Sequence, residues 1–209
     1  YQAATSSGAT KVQAGTLAFS TVGFANDLRD AVANVTIARG PGTFPVIGAL
    51  PAGGLGRQRL NVARIRVNGV ELTAAWRPAP NLTLDAAVLF NDATVRSAPV
   101  ARALEGRRLA QVPRRSATFS AAWRTPAGLL ISARSRALGR QFEDDENQLV
   151  LGAVVVTDAT VSMPAGRHTE VFLSVENAGD ARIETGRGAD GVINVAGPRA
   201  WRGGLRARW

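Results

Sequence analysis

A chain of 209 residues that is 45% hydrophobic and 20% charged, with a mean hydropathy near zero, has the composition neither of a disordered chain nor of a helical membrane protein. It has no Cys and a single His, His168, which removes disulfide frameworks, zinc sites and Cys–His or Ser–His nucleophiles from consideration. The net charge of +9 comes from Arg, with Lys11 the one lysine; the arginines are dispersed, and no helix-turn-helix or RNA-binding aromatic motif gathers them, which argues against nucleic acid.

The longest apolar run, Leu149 to Val156, is broken by Gly152 and falls far short of the roughly 20 apolar residues of a spanning helix, so any membrane crossing is expected to use strands. The sequence opens on Tyr1 without a charged and apolar leader pattern, which reads as a processed chain or a fragment. Period-two alternation predicts about nine strands, at 12–25, 29–38, 58–76, 81–95, 114–125, 128–142, 149–163, 168–178 and 198–209. Several reach the ~9–11 residues needed to cross a bilayer at a tilt.

Within 58–76 the phase changes: Ile65 and Val67 precede Asn68-Gly69, and Val70, Leu72, Ala74 and Trp76 follow, which predicts a β-bulge at Asn68-Gly69. Next, Leu82, Leu84, Ala86, Val88 and Phe90 oppose Asn81, Thr83, Asp85 and Asn91. Ala117, Phe119, Ala121 and Trp123 oppose Ser116, Thr118, Ser120 and Arg124. Val171, Leu173 and Val175 oppose Glu170, Ser174 and Glu176, with Phe172 an intruder on the polar face. The last segment sets Trp201, Gly203, Leu205, Ala207 and Trp209 against Arg202, Gly204, Arg206 and Arg208.

The connectors alternate as well. Turns at 77–80, 125–128 and 164–167 are short and rich in Pro and Gly, whereas 39–57, 96–113 and 179–197 are long and polar. Short turns at one end and long loops at the other fit a transmembrane barrel with periplasmic turns and extracellular loops. Trp76 and Trp123 end strands beside short turns and Trp209 ends the chain, positions expected of an interfacial aromatic girdle. Alternation also fits a soluble secreted β-sandwich binding module with Trp in its core, and a passive porin-type barrel is a third reading.

Four stretches in order carry a resemblance: Asn68-Gly69-Val70-Glu71-Leu72 through Trp76 to Pro78-Ala79-Pro80; Leu104-Glu105-Gly106-Arg107-Arg108-Leu109-Ala110-Gln111-Val112-Pro113; Val175-Glu176-Asn177-Ala178-Gly179-Asp180; and Gly197-Pro198-Arg199 to Trp209. Over 58–209 the chain resembles the C-terminal half of TonB-dependent outer-membrane receptors, although that family usually has bulkier residues than Ala178-Gly179. The resemblance implies an all-β, antiparallel, up-and-down transmembrane barrel in the bacterial outer membrane. Residues 1–209 would be one partial barrel domain, about the last nine strands of a larger barrel, without the plug domain. It further implies active uptake of a scarce nutrient such as a ferric siderophore or cobalamin, and no enzymatic activity. The expected partners are outer-membrane lipid, the TonB complex through the missing plug domain, a small nutrient ligand, and the barrel-assembly machinery through the C-terminal strand ending at Trp209. An open sheet of nine strands would leave unpaired backbone groups in lipid, so the isolated chain is not expected to transport.

Candidate ligand residues lie in the loops 39–57, 96–113, 142–149 and 179–197. The acidic run Glu143-Asp144-Asp145-Glu146 is either a cation-binding loop or a solvated, self-repelling one, and it lacks the order of a calcium loop. Lumen-facing Arg124, Arg134, Arg136, Arg202, Arg206 and Arg208 are expected to pair with carboxylates such as Glu71, Asp85, Asp158, Glu170 and Glu176, or with the missing plug, in preference to serving as an anion site. No catalytic constellation, cofactor site or metal site is expected.

Overall fold

The computed structural model describes residues 2–207, and the side chains of all of these except residues 2–4, 62 and 63. Strand β1 (Gln2–Ala14) reverses at Gly15-Thr16 into the long β2 (Leu17–Arg39). A small hairpin, β3 (Gly42–Phe44) and β4 (Gly48–Leu50), then leads into β5 (Leu55–Ala79). After β6 (Leu82–Ser97) comes a 3-10 turn at Arg102–Leu104, followed by β7 (Arg115–Arg124) and β8 (Leu130–Leu138). The remaining strands are the short pair β9 (Gln141–Phe142) and β10 (Val150–Leu151), then β11 (Val154–Pro164), β12 (Thr169–Glu176), the short β13 (Glu184–Arg187) and β14 (Ile193–Val195), and β15 (Ala200–Ala207).

Nine of these strands form one antiparallel up-and-down sheet in the order β1-β2-β5-β6-β7-β8-β11-β12-β15, and β1 and β15 are not paired with each other among the described residues. The number of wall strands agrees with the alternation, but the first two boundaries do not. The turn lies at Gly15, in the left-handed region at φ 57, and the chain runs straight through the expected break at 26–28. Asn26 and Asp27 look like turn residues in sequence, yet Asp27 sits in the ladder opposite Arg66. The expected strands 128–142 and 149–163 are also too long: the wall ends at Leu138 and resumes at Val154, and β9–β10 is a separate two-stranded hairpin.

No bulge occurs at Asn68-Gly69. The ladder between β2 and β5 is continuous from Arg29↔Arg64 to Leu17↔Trp76, and the β5–β6 irregularities lie between Arg64 and Ile65 and between Trp76 and Ala79. Ile65 and Val67 therefore face the opposite side from Val70, Leu72, Ala74 and Trp76. They do so because the inner side is apolar at the loop end: Ala31, Val35, Ile65, Val95, Ala98 and Leu104 form a buried cluster, with Leu28, Leu60, Val67 and Leu109 packed against it. Leu28 and Ala31 both reach that cluster because Asp30, at φ 54, shifts the alternation of β2 by one residue.

One face of the wall is apolar and open. Val12, Leu17, Phe19, Val70, Trp76, Phe90, Phe119, Trp123, Val155, Val161, Leu173, Trp201 and Leu205 are all exposed, and the registers place them all on one side of the sheet. A water-soluble sandwich would bury such a face. The opposite side carries Asp85, Ser120, Arg134 and Asp158 in one cross-strand row, Glu170 directly opposite Arg206, and Thr73 on β5. The intruding Phe172 lies over Gly204 on its partner strand, with the Arg206 guanidinium 5.5 Å from its ring centroid. Its apolar surface is thus spent on a neighbour that lacks a side chain.

Candidate functional site

Four short turns lie at one end of the sheet, at 15–16, 80–81, 125–129 and 165–168, and four long connections at the other, at 40–54, 98–114, 139–153 and 177–199. The functional surface has two parts: the polar inner wall and the ordered loops at its long-loop end.

On the inner wall the expected pairing of arginines with carboxylates holds for three of them. Arg136 reaches Asp158 at 2.9 Å, Arg202 reaches Glu176 at 2.6 Å and Arg206 reaches Glu170 at 3.3 Å. These pairs are solvent-accessible and each stabilises by about 0–1 kcal/mol, so their main effect is to fix side-chain positions across strands. No such pair is formed by Arg124 or Arg134 among the described residues, and Arg208 and Trp209 lie outside them. A groove of about 790 Å³ runs along this wall beneath the 177–199 connection, lined by Arg136, Asp158, Glu176, Asn177, Arg199 and Arg202.

The acidic run is not a solvated loop: each of its four carboxylates is engaged by the protein. Asp145 accepts the backbone N–H of Thr36 at 2.7 Å and its hydroxyl at 2.6 Å, Glu146 pairs with Arg39, and Glu143 lies 3.8 Å from Arg57 and accepts Gln111 Nε2 at 3.0 Å. Asp144 is buried and its Oδ1 caps the turn, accepting the N–H groups of Gln148 and Leu149 at 2.9 and 2.7 Å. The run therefore latches the 139–153 connection to β2 and β5. No cluster of His, Cys, Asp and Glu able to hold a metal occurs among the described residues.

The 104–113 stretch owes its form to backbone pairing. Gly106, at φ 80, donates to Val95 O at 2.9 Å, Val95 donates to Arg107 O at 2.9 Å and Leu109 donates to Ala93 O at 3.0 Å, so the segment extends the sheet beside β6. This buries Leu104 and presents Arg108, whose guanidinium lies 5.8 Å from the Phe142 ring centroid. Asn147 clamps the Arg108 backbone, accepting its N–H at 2.8 Å and donating to its carbonyl at 2.9 Å. Burial, and secondarily the nearby Arg114, pulls the Arg108 guanidinium below its ordinary pKa, and its Nε is buried without a hydrogen-bond partner. A cavity of about 270 Å³ opens here, lined by Asn34, Arg57, Arg108, Gln111, Glu143 and Asp145 over an apolar floor that includes Leu104 and Leu109. Its donors and acceptors suit a polar, multidentate ligand.

Sequence reasoning found the acidic run and missed Thr36, Arg39 and Arg57, which lie 86 to 109 positions away in sequence. Four adjacent carboxylates do call for partners, but nothing local says which of 24 arginines supplies them. Trp76 and Trp123 both stand on the outward face beside the short turns.

A family model described as TonB dependent receptor-like, beta-barrel, matches residues 5–178. No curated protein matches the chain. Among solved structures, the ferric yersiniabactin uptake receptor FyuA of Yersinia pestis is similar at TM-score 0.76 and 20% identity, over 98% of this chain and 29% of that one. The siderophore receptor PiuA of Acinetobacter baumannii is similar at TM-score 0.75 and 16% identity, over 98% and 28%. The ferric-catecholate import receptor Fiu of E. coli K12 gives TM-score 0.71 and 18% identity, over 98% and 27%. At these identities the likeness speaks to fold, and the chain spans under a third of each of these relatives. The match of the family model over most of its length, on a nine-stranded sheet with one open apolar face, means that this chain belongs to the TonB-dependent receptor family and forms part of its β-barrel.

Proposed function

We propose that this chain is the C-terminal wall of an outer-membrane receptor for active uptake of a scarce nutrient, a ferric siderophore being favoured over cobalamin, and that it performs no enzymatic reaction. The observation that carries the reading is the division of one sheet into an open apolar face and a charged face with ordered loops at one end. An apolar face is stable in lipid, and the charged face in a water-filled or plug-filled lumen. The similar solved proteins include siderophore receptors, which supports that ligand class. In this reading Trp76 and Trp123 sit at the periplasmic interface, and Trp209, outside the described residues, is the residue read by the barrel-assembly machinery. The loops around Arg57, Arg108 and Glu143 contact the ligand. Energy arrives from the TonB complex acting on a plug domain outside residues 1–209.

The test is uptake of iron-loaded siderophores by cells expressing the full-length protein that carries this chain, with and without a functional TonB. TonB-dependent accumulation of at least one ferric siderophore supports the proposal. Accumulation indifferent to TonB favours a passive porin, and a chain that stays folded and monomeric without detergent favours the soluble module.

A further inference from the structure

Above the apolar stripe on the outward face, the wall becomes cationic. Arg64 and Arg66 continue the row of Val70, Leu72, Ala74 and Trp76 on β5, and Arg29 and Asp27 continue the row of Leu17, Phe19 and Thr21 on β2. The register puts Arg29 directly opposite Arg64 and Asp27 opposite Arg66. Asp27 takes the Arg64 Nε on both carboxylate oxygens, at 2.7 and 2.9 Å, and lies 3.7 Å from Arg66. One carboxylate thus serves two guanidinium groups, with a third, Arg29, opposite Arg64 and outside its contacts, and the next outward carboxylate, Asp92, is engaged by Arg114 at 3.2 Å. Like charges directly opposite on a sheet are destabilising unless an anion joins them. Farther round the wall, exposed Arg115 stands opposite Phe90 at the same upper edge.

A second feature lies immediately below. Gly8 and Gly23 are paired in the row that contains Val70, and a Cβ on either would meet no atom within 4 Å. Their bareness is not imposed by packing, and it leaves a furrow on the outward face, in the row that runs on through Val70 to Phe90. A cationic cluster above an apolar furrow matches a molecule with an anionic head and acyl chains.

We propose that Arg64 and Arg66, held by Asp27, and Arg29 opposite Arg64 form an outward-facing site for the phosphate groups of an outer-leaflet glycolipid whose acyl chains lie along the Gly8–Gly23 furrow. Guanidinium groups bind phosphate oxygens through paired, charge-assisted hydrogen bonds, and Asp27 holds one of them in position without neutralising the cluster. The inference rests on the reading of this chain as an outer-membrane wall, and it is separate from nutrient uptake, because every residue in it faces away from the lumen.

The experiment uses the full-length protein carrying this chain, purified in a zwitterionic detergent and titrated with diphosphorylated lipid A, with bound lipid counted by native mass spectrometry. Dephosphorylated lipid A and inorganic phosphate are the comparison probes. Diphosphorylated lipid A is expected to bind in preference to both, more weakly at high salt, and R64Q/R66Q is expected to weaken it by about 10- to 30-fold. Because that variant leaves Asp27 without its partners, D27N/R64Q/R66Q is measured beside it, and heat-modifiable electrophoretic migration reports folding of each. R77Q, at the short-turn end, should bind as the parent does. Equal binding by the parent and the folded triple variant, or saturation by inorganic phosphate alone, overturns the inference while leaving the receptor reading intact. A protein that remains folded and monomeric without detergent overturns both.

Discussion

Asp145 accepts two hydrogen bonds from Thr36, one from its backbone N–H at 2.7 Å and one from its hydroxyl at 2.6 Å, across 109 positions of chain. They join the connection between the sixth and seventh wall strands to the upper part of the second. Hydrogen bonds to an ionised group contribute about 1.5–3 kcal/mol, and removing the acceptor leaves a half-buried N–H unsatisfied. Asp145→Ala is expected to lower hydrogen-exchange protection of residues 139–153 by roughly 10- to 100-fold at that magnitude. Thr36→Val, which removes the hydroxyl alone, should have the smaller effect. Unchanged protection in both variants would show that the latch does not hold the loop.

Glu184 ties the last connection to its neighbour. Its Oε2 accepts the Gly152 N–H at 2.9 Å, and Arg187 lies 3.3 Å from Oε1. The Gly152 hydrogen bond first, and then the charge of Arg187, hold the Glu184 carboxyl below its ordinary pKa. A carboxylate depressed in the folded state stabilises above its unfolded pKa, and the contribution is lost as pH falls through the folded value. The contact is therefore intact at neutral pH and released only below the ordinary glutamate range. Spin labels at Gln148 and Ala189 should report a distance that lengthens on acidification in the parent. In Glu184→Gln that pH dependence should disappear.

Asn177 shows what lies behind one of the recognisable stretches. It is buried, sits at φ 49, donates Nδ2 to Ala181 O at 2.9 Å and accepts the Ala181 N–H on Oδ1 at 2.9 Å, while its own N–H reaches Asp158 Oδ1 at 2.9 Å. Asn tolerates the left-handed region and bonds its own loop, which is what turns the chain off the wall here. Asn177→Ala should destabilise this corner by about 2–4 kcal/mol, from two lost hydrogen bonds plus backbone strain. Asn177→Gly, which relieves the strain only, should cost less. Local exchange at 177–183 separates the two, and equal effects would remove the conformational part of the account.

Alternation made the wall legible because each strand has one lipid-compatible and one polar face, so Phe119 and Ser120 announce their sides without any knowledge of neighbours. Sequence could not place the first turn: Asn26-Asp27 resembles a break, and only the pairing of Asp27 with Arg64 explains carboxylates in mid-strand. Nor could it place the loop cluster, since Ile65 and Leu104 meet by virtue of a fold-back of the 98–114 connection. The latch of Asp145 on Thr36 was invisible for the same reason: long-range partners leave no periodicity.

The wall itself offers a test that separates lipid from solvent. Phe119 is outward and half exposed, between Ala117 and Ala121, and its chain neighbour Ser120 faces the lumen. In a bilayer, arginine on the outer face near mid-depth costs about 2–4 kcal/mol, whereas lumen substitutions are tolerated. Phe119→Arg in the full-length protein should lower folding stability in lipid vesicles by that amount, measured by urea titration, and Ser120→Arg by much less. Trp123→Arg, close to the short turns, should fall at the low end, about 0–1 kcal/mol for the charge at an interface, plus the loss of the indole's own burial. If Ser120→Arg proved as costly as Phe119→Arg, the two faces would be equivalent and the barrel reading would lose its basis.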